Sequence, residues 1–285
     1  MMAAVADLHA DLYAGAAPVR VREADPGRTC RRLQGRTALL TAAARGIGFA
    51  AAVRLAAEGA QVWITDRDAA ALAQAREAAA AVGLALRTEV LDSLDAQATG
   101  QVLATIVAQA GSLDILVNNA GGSLHTPYRL LDESDADWAR VLDLNVMGAV
   151  RTARAVLPGM QARGWGRILN FGSKAGRFGS LIAGPNYAAA KGAIAALTRQ
   201  MAMEFGPQGI TVNCICPGVV VTDRTRALWA ERRTPEERAR VLQEIPLRRH
   251  GEVEDVAATV AFLASDDAAF ITGVTLDLNG GQGMA

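Results

Sequence analysis

Tyr187 and Lys191 stand four residues apart in the run Asn186-Tyr187-Ala188-Ala189-Ala190-Lys191, inside an apolar stretch from Ile182 to Phe205. The stretch has no proline after Pro185, so it predicts a helix on which residues four apart share a face. A phenol ordinarily ionises near pH 10 (about), and a neighbouring ammonium favours the phenolate, so such a pair can move a proton near neutral pH. The chain's 29 cations are arginines apart from Lys174 and Lys191, so the charge beside Tyr187 is a compact ammonium and not a guanidinium fork. Taken alone, the spacing more often marks a surface tyrosine one turn from a solvated lysine. The rest of the chain has to decide.

The elements that would carry this pair alternate regularly from Arg36 onward, with short apolar runs separated by Ala-rich segments of helical period. Strands are expected at Thr37 to Thr41, Gln61 to Thr65, Ala85 to Val90, Leu113 to Val117, Arg167 to Phe171, Ile210 to Ile215 and Val274 to Leu278. Apolar strands separated by helices predict an α/β fold with a doubly wound, parallel, seven-stranded sheet of Rossmann type in a single domain, residues 35–285. Residues 1–34 differ in composition and read as an extension, either disordered or packed on a partner subunit.

Composition narrows the function classes. With 51% hydrophobic residues in 285, the chain can bury a sizeable core, and 29 acids balance 29 bases. That balance provides no general pull toward nucleic acid or an anionic membrane. Asp7, His9 and Asp11 near the start fit no secretory signal, and no segment is apolar for long enough to span a membrane. Three cysteines are an odd count; Cys214 and Cys216 project to one face of an expected strand, which suits reduced core thiols in a cytoplasmic protein better than a disulfide or metal site.

The first strand leads into Thr41-Ala42-Ala43-Ala44-Arg45-Gly46-Ile47-Gly48 and then an apolar helix. A strand that feeds a glycine turn into a helix aims main-chain N–H groups and the positive end of the helix dipole at one point, where a pyrophosphate fits. The next strand leads to Asp66, which can accept both hydroxyls of an adenosine ribose and repels a 2′-phosphate. Asp66 can also cap the helix that starts near Asp68.

Further motifs follow in order: Asn118-Asn119-Ala120-Gly121 after the fourth strand, Asn145 in the next long helix, Ser173 after the fifth strand, Tyr187 with Lys191, and Pro217-Gly218 with Thr222 after the sixth. On this ordered set the chain resembles the short-chain dehydrogenase/reductase family across residues 36–285. Asn186 to Lys191 and Gly209-Ile210-Thr211-Val212-Asn213 are most similar to 3-oxoacyl-carrier-protein reductases and to hydroxyacid and sugar dehydrogenases.

The resemblance implies an enzyme that moves a hydride between a nicotinamide cofactor and a secondary alcohol or ketone. It makes Tyr187 the acid/base, Lys191 its pKa-lowering partner and a ligand of the nicotinamide ribose, and Ser173 a donor to the substrate oxygen. Asn145 would hold a proton-relay water. Ala44, Arg45, Gly46, Ile47 and Gly48 would line the phosphates. Glu89, Val90, Asn119, Ala120 and Gly121 would line the adenosine side, and Pro217, Gly218, Val220 and Thr222 the nicotinamide. Two positions depart from the family pattern. Glu89 replaces a common Asp, and Ala42 stands where the first glycine is usual. If that position needs a positive φ, Ala costs about 1 kcal/mol or more there; if it needs only a small residue, little.

Asp66 favours NAD(H), whereas Arg45 and Arg67 beside it leave NADP(H) open. The polar stretch 222–250 corresponds to the family's lid, and its arginines, Arg224, Arg226, Arg232, Arg233, Arg238, Arg240, Arg248 and Arg249, either meet an anionic substrate or pair with Glu231, Glu236, Glu237 and Glu244 on a solvated surface. Lys174, Arg177, His125 and Arg129 pose the same choice at the cleft mouth. Helices expected at Trp138 to Met160 and Ile182 to Phe205 are apolar beyond one face, which suggests a dimer or tetramer. The partners expected are therefore a small-molecule substrate and further copies of the chain. Other readings are a 3-oxoacyl-thioester reductase using NADPH, and a non-redox or nucleotide-sensing member of the fold.

Overall fold

The computed structural model describes residues 31–180 and 183–284. The first strand, β1 (Thr37–Leu40), is buried along its whole length and alternates between two cores. Ala38 and Leu40 face one cluster and Leu39 the other, following the two-residue period of a strand. With both faces covered, a parallel sheet is the expected solution. After β1 come β2 (Gln61–Asp66), β3 (Leu86–Val90), β4 (Ile115–Asn118), β5 (Gly166–Phe171), β6 (Ile210–Pro217) and β7 (Thr275–Leu278). They form one seven-stranded sheet in the order β3-β2-β1-β4-β5-β6-β7, every neighbouring pair parallel.

Helices α1 (Gly46–Ala57), α2 (Ala69–Ala80), α3 (Ala96–Ala110), α4 (Asp135–Leu142), α5 (Gly148–Arg163), α6 (Pro185–Phe205), α7 (Asp223–Arg232), α8 (Pro235–Glu244) and α9 (Val253–Ala264) connect the strands. Buried residues of α1, α2 and α9 fill the core on one face, and those of α3, α5 and α6 the core on the other. Strand order reverses between β1 and β4, so the crevice of a doubly wound sheet opens at the carboxyl ends of these two strands. Thr41, just past β1, donates its N–H to Val117 O at 3.1 Å and closes the base of that crevice.

The doubly wound fold expected from the alternation is present, with shifted ends. β4 starts at Ile115, and Asp114 just before it accepts the Thr37 N–H on Oδ2 at 2.9 Å. The single helix expected over Trp138 to Met160 is interrupted: α4 and α5 are joined by a π-helical turn, Asp143–Met147, that contains Asn145. Most of the expected N-terminal extension lies outside the described residues, as does Ile182. Of the last extension residues, Leu33 is buried in the core and Arg32 pairs with Glu58 at 2.7 Å. No helix among the described residues is long and apolar enough to cross a membrane.

Candidate active site

The glycine turn is clamped from two sides. Asn119 Nδ2 donates to Thr41 O and Ala42 O at 3.0 and 2.8 Å, while Asn119 N and Ala120 N donate to Thr41 Oγ1 at 3.1 and 3.0 Å. From β2, Thr65 O accepts the Ala43 N–H at 2.9 Å and Asp66 Oδ2 the Ala44 N–H at 3.3 Å. Held in this way, Ala42 has a φ of 49°, the left-handed conformation that favours glycine. The position therefore needs positive φ, and alanine costs about 1 kcal/mol there.

The turn fits a dinucleotide phosphate. Arg45, the N-cap of α1, makes no side-chain capping bond, so the first-turn N–H groups are left for an anionic ligand. A methyl group on Gly48 would lie 2.6 Å from Asn119 Nδ2 and 2.7 Å from Ala43 Cα, so only glycine allows this approach of helix to loop. One on Gly46 would touch Thr222 Cγ2 at 3.4 Å, which places Thr222 over the same turn. Ile47 is half-buried against the core.

Asp66 is not the cap of α2. Asp68 is: its Oδ1 accepts the Ala71 N–H at 3.0 Å, and Asp66 Oδ1 takes the Asp68 N–H at 3.2 Å. Asp66 thus ties the end of β2 to the glycine turn. Arg45 pairs with Asp68 at 2.8 Å, and that partner, with the Ala71 N–H contributing most, holds the Asp68 carboxyl below its ordinary range. Arg67 is exposed. Glu89 and Val90 end β3 opposite Thr65 and Asp66, with Val90 exposed at the rim.

Across the crevice, Lys191 is buried, donates from Nζ to Phe171 O at 2.7 Å and lies 5.7 Å from the Tyr187 ring centroid. A methyl on Gly121 would meet Lys191 Nζ at 2.8 Å and Asn145 Oδ1 at 2.7 Å, so the end of the β4 loop abuts both side chains. Asn145 donates from Nδ2 to Gly122 O at 2.9 Å and to Val141 O at 2.8 Å, and accepts the Gly122 N–H on Oδ1 at 3.0 Å. The π turn frees the Val141 carbonyl, and the amide that satisfies it also grips the loop. Ser173, half-buried past β5, accepts the Ala175 N–H on Oγ at 3.1 Å, just before the short helical turn Ala175–Phe178. Of the expected site residues, Asn145, Lys191 and Gly121 are thereby brought together at the end of the β4 loop.

On the far rim, Gly218 donates to Leu278 O at 2.9 Å, and a methyl there would come within 3.0 Å of Asn279 Cα. Pro217 O accepts the Lys174 N–H at 2.9 Å. The side chain of Val220 is buried in the core, so any ligand contact it makes is through its main chain. Arg177 is paired within the chain: both its Nη2 and Nε reach Asp277, at 2.8 and 3.2 Å. Arg233 pairs with Glu237 at 3.4 Å and Arg240 with Glu244 at 3.9 Å, as the solvated-surface alternative expects, and Arg249 meets Asp255 at 2.6 Å. The Arg224 side chain lies outside the described residues. Cys214 and Cys216 are buried thiols 3.8 Å apart; the hydrogen bond between them and burial push Cys214 upward.

The structure adds partners for Asn186 that its motif does not show: Thr126 and Glu133, which hydrogen-bond with it across the mouth of the Tyr187 helix. An asparagine beside the first turn of a helix was the available signal, since that residue type seeks main-chain partners. Nothing in the sequence pointed to Thr126. Leu124 and His125 were also unforeseen as consecutive left-handed residues, with φ of 52° and 57°.

A dinucleotide binder of this architecture lays its phosphates on the β1 turn, and here a tyrosine with a buried ammonium stands on the opposite wall, which is the arrangement of nicotinamide-dependent oxidoreductases. Comparison with known proteins narrows the class. The family profile described as enoyl-(acyl carrier protein) reductase matches residues 41–282. A 3-oxoacyl-[acyl-carrier-protein] reductase of Pseudomonas aeruginosa is 41% identical over 254 residues, covering 89% of this chain and 99% of its own. An uncharacterised short-chain type dehydrogenase/reductase of Sinorhizobium fredii is 39% identical over 264 residues, covering 88% and 98%. Among solved structures, an NAD+-bound xylitol dehydrogenase superposes with a TM-score of 0.81 at 33% identity, covering 88% of this chain and all of its own. A 3-oxoacyl-[acyl-carrier protein] reductase with bound NAD from Brucella melitensis gives 0.80 at 34% identity, covering 90% and 95%. The chain belongs to the short-chain dehydrogenase/reductase family and is an NAD(P)-dependent oxidoreductase acting on CH–OH and C=O groups.

Proposed function

We propose that Tyr187 is the acid/base of this enzyme, acting on a secondary alcohol or ketone with NAD(H) as the preferred cofactor. The observation that carries the reading is the buried Lys191 ammonium, 5.7 Å from the Tyr187 ring. An ammonium out of water favours a phenolate beside it over a neutral phenol. In reduction the Tyr187 hydroxyl gives its proton to the carbonyl oxygen; in oxidation the phenolate takes it back from the alcohol. A bound nicotinamide supplies or accepts the hydride. Ser173 Oγ donates to the same oxygen and stabilises the charge that develops there. Asn145 retains an acceptor lone pair on Oδ1 after its three bonds, enough to hold a water next to Lys191 and return protons to Tyr187 from solvent.

Gly46, Ile47 and Gly48, with Ala44 and Arg45, receive the phosphates; Asp66 takes the adenosine ribose. Arg45 supports NAD(H), since its charge is already engaged by Asp68 and a 2′-phosphate would face the Asp66 carboxylate. The segment 222–250 acts as a lid. Exposed Met147 and Met203, with Ala155, Ala189 and Ala196 on the outer sides of α5 and α6, support a dimer or tetramer, and the buried thiols support a cytoplasmic setting. A second reading, reduction of a 3-oxoacyl thioester, is supported by the named activity of relatives at about 40% identity.

Tyr187→Phe tests the reading: kcat/KM should fall by about 10²–10⁴ with NADH affinity retained. Wild-type turnover in that variant would remove Tyr187 from the chemistry. Catalytic efficiency with NADH against NADPH, measured on small ketones and on an acetoacetyl thioester, separates the cofactor and substrate readings. A preference for NADPH on the thioester replaces the first with the second.

A further inference from the structure

Asn186, at the mouth of the cleft, is fully buried, and its side-chain oxygen, side-chain nitrogen and main-chain N–H are all hydrogen-bonded. Its Oδ1 accepts the Tyr187 N–H at 2.6 Å, its Nδ2 donates to Thr126 Oγ1 at 3.1 Å, and its main-chain N–H reaches Glu133 Oε1 at 3.4 Å. The Tyr187 N–H is one of the donors that the start of a helix leaves unsatisfied, so Asn186 closes the turn of α6 that carries Tyr187.

Thr126, at the other end of this link, donates both its hydroxyl and its N–H to Ser123 O, at 2.8 and 2.9 Å. These bonds close a four-residue turn whose central residues, Leu124 and His125, are both left-handed. Such a turn suits Gly or Asn; with Leu and His it persists because its surroundings hold it. Its near end is held at Gly122 by Asn145, one residue past the contact of Gly121 with Lys191. Its far end is held by Asn186.

We propose that Asn186 is a positioning residue that locks the strained turn 123–126 to the first turn of α6, so that Tyr187 and the wall of the cleft facing it are set as one unit. The proposal rests on Tyr187 being the acid/base. Misplacement of a reacting group by about 1 Å can cost about a hundredfold in rate, so a loosened first turn is felt in kcat.

The test uses Thr126→Val, which keeps the heavy-atom count and leaves Asn186 in place, together with Asn186→Ala, the double variant and Thr126→Ser. Thr126→Val and Asn186→Ala should each lower kcat by about tenfold and move the pH at which kcat is half-maximal, with the NADH Kd within about twofold of wild type. The double variant should lose no more than the worse single one, as expected for groups acting through one link, and Thr126→Ser should recover most of the loss. Wild-type kcat and pH profile in Thr126→Val overturn the proposal, and so does a matching loss of NADH affinity, which marks general loosening. Tyr187→Phe is run alongside. Activity surviving in Tyr187→Phe sinks the acid/base reading itself, whereas an inactive Tyr187→Phe beside an unaffected Thr126→Val sinks only the role of Asn186.

Discussion

The floor of the cleft and the polar segment 222–250 are held by different forces. On the floor, the β1 turn, the β4 loop and the start of α6 are joined by short hydrogen bonds among buried and half-buried groups: Asn119 to Ala42, Asn145 to Gly122, Lys191 to Phe171. Breaking one leaves a buried polar group unsatisfied at about 1–3 kcal/mol, so the geometry there is stiff. In the segment 222–250, α8 has no buried residue and relies on exposed ion pairs such as Arg240 with Glu244, each contributing about 0.3–0.5 kcal/mol. Among the described side chains, its anchors are chiefly buried Trp229, 5.5 Å from His250, and buried Ile245. Chemistry needs atoms fixed to fractions of an ångström, and the floor is held in that way, while a segment held by exposed ion pairs can move at small energetic cost.

Three substitutions probe that contrast, in falling order of effect. Gly48→Ala places a methyl 2.6 Å from Asn119 Nδ2 and 2.7 Å from Ala43 Cα, where the stiff floor cannot yield. It should destabilise by about 1–3 kcal/mol and weaken NADH binding at least about tenfold, by thermal melting and fluorescence titration; unchanged binding would show a pliant floor. Ala42→Gly acts on the same floor with the opposite sign. Because φ at Ala42 is 49°, glycine should stabilise by up to about 1 kcal/mol, a rise of about 2–4 °C in Tm. A fall in Tm would mean the left-handed turn carries no strain.

The third lies at the end of the segment 222–250. Arg249 holds the Asp255 carboxyl below its ordinary range, chiefly through their side-chain hydrogen bond. A depressed carboxylate contributes stability above its unfolded pKa of about 3.9, and that contribution disappears as pH falls through the lower folded value. Arg249→Ala should therefore be less stable than wild type by no more than about 1 kcal/mol at pH 7, with the gap closing below about pH 4. A gap that persists in acid would assign Arg249 a packing role instead.

Much of this was legible in the chain. Alternating apolar runs predicted seven strands because a strand buried on both faces is mostly apolar, and β1, β4 and β5 are buried along their whole length with few polar residues among them. Gly46, Gly48, Asp66, Tyr187 and Lys191 were visible because each requirement is met within a few residues of chain: a turn, a strand end, one helix face. The long-range partnerships were not. Arg177 read as a cation at the cleft mouth, yet Asp277 on β7 pairs with it. Asp66 read equally well as a cap until Asp68 proved to fill that place.

By itself, then, the sequence determined the doubly wound sheet and the cast of the site, since strand period, helix face and turn chemistry are local properties of the chain. Tertiary structure alone decided that Ala42 is left-handed, that Asn145 sits in a π turn gripping Gly122, and that Asn186 joins Tyr187 to Thr126. Each of these depends on a hydrogen bond whose other half comes from a distant part of the chain. Only folding brings the two halves together, and the cost of burying either one unpaired makes the pairing obligatory.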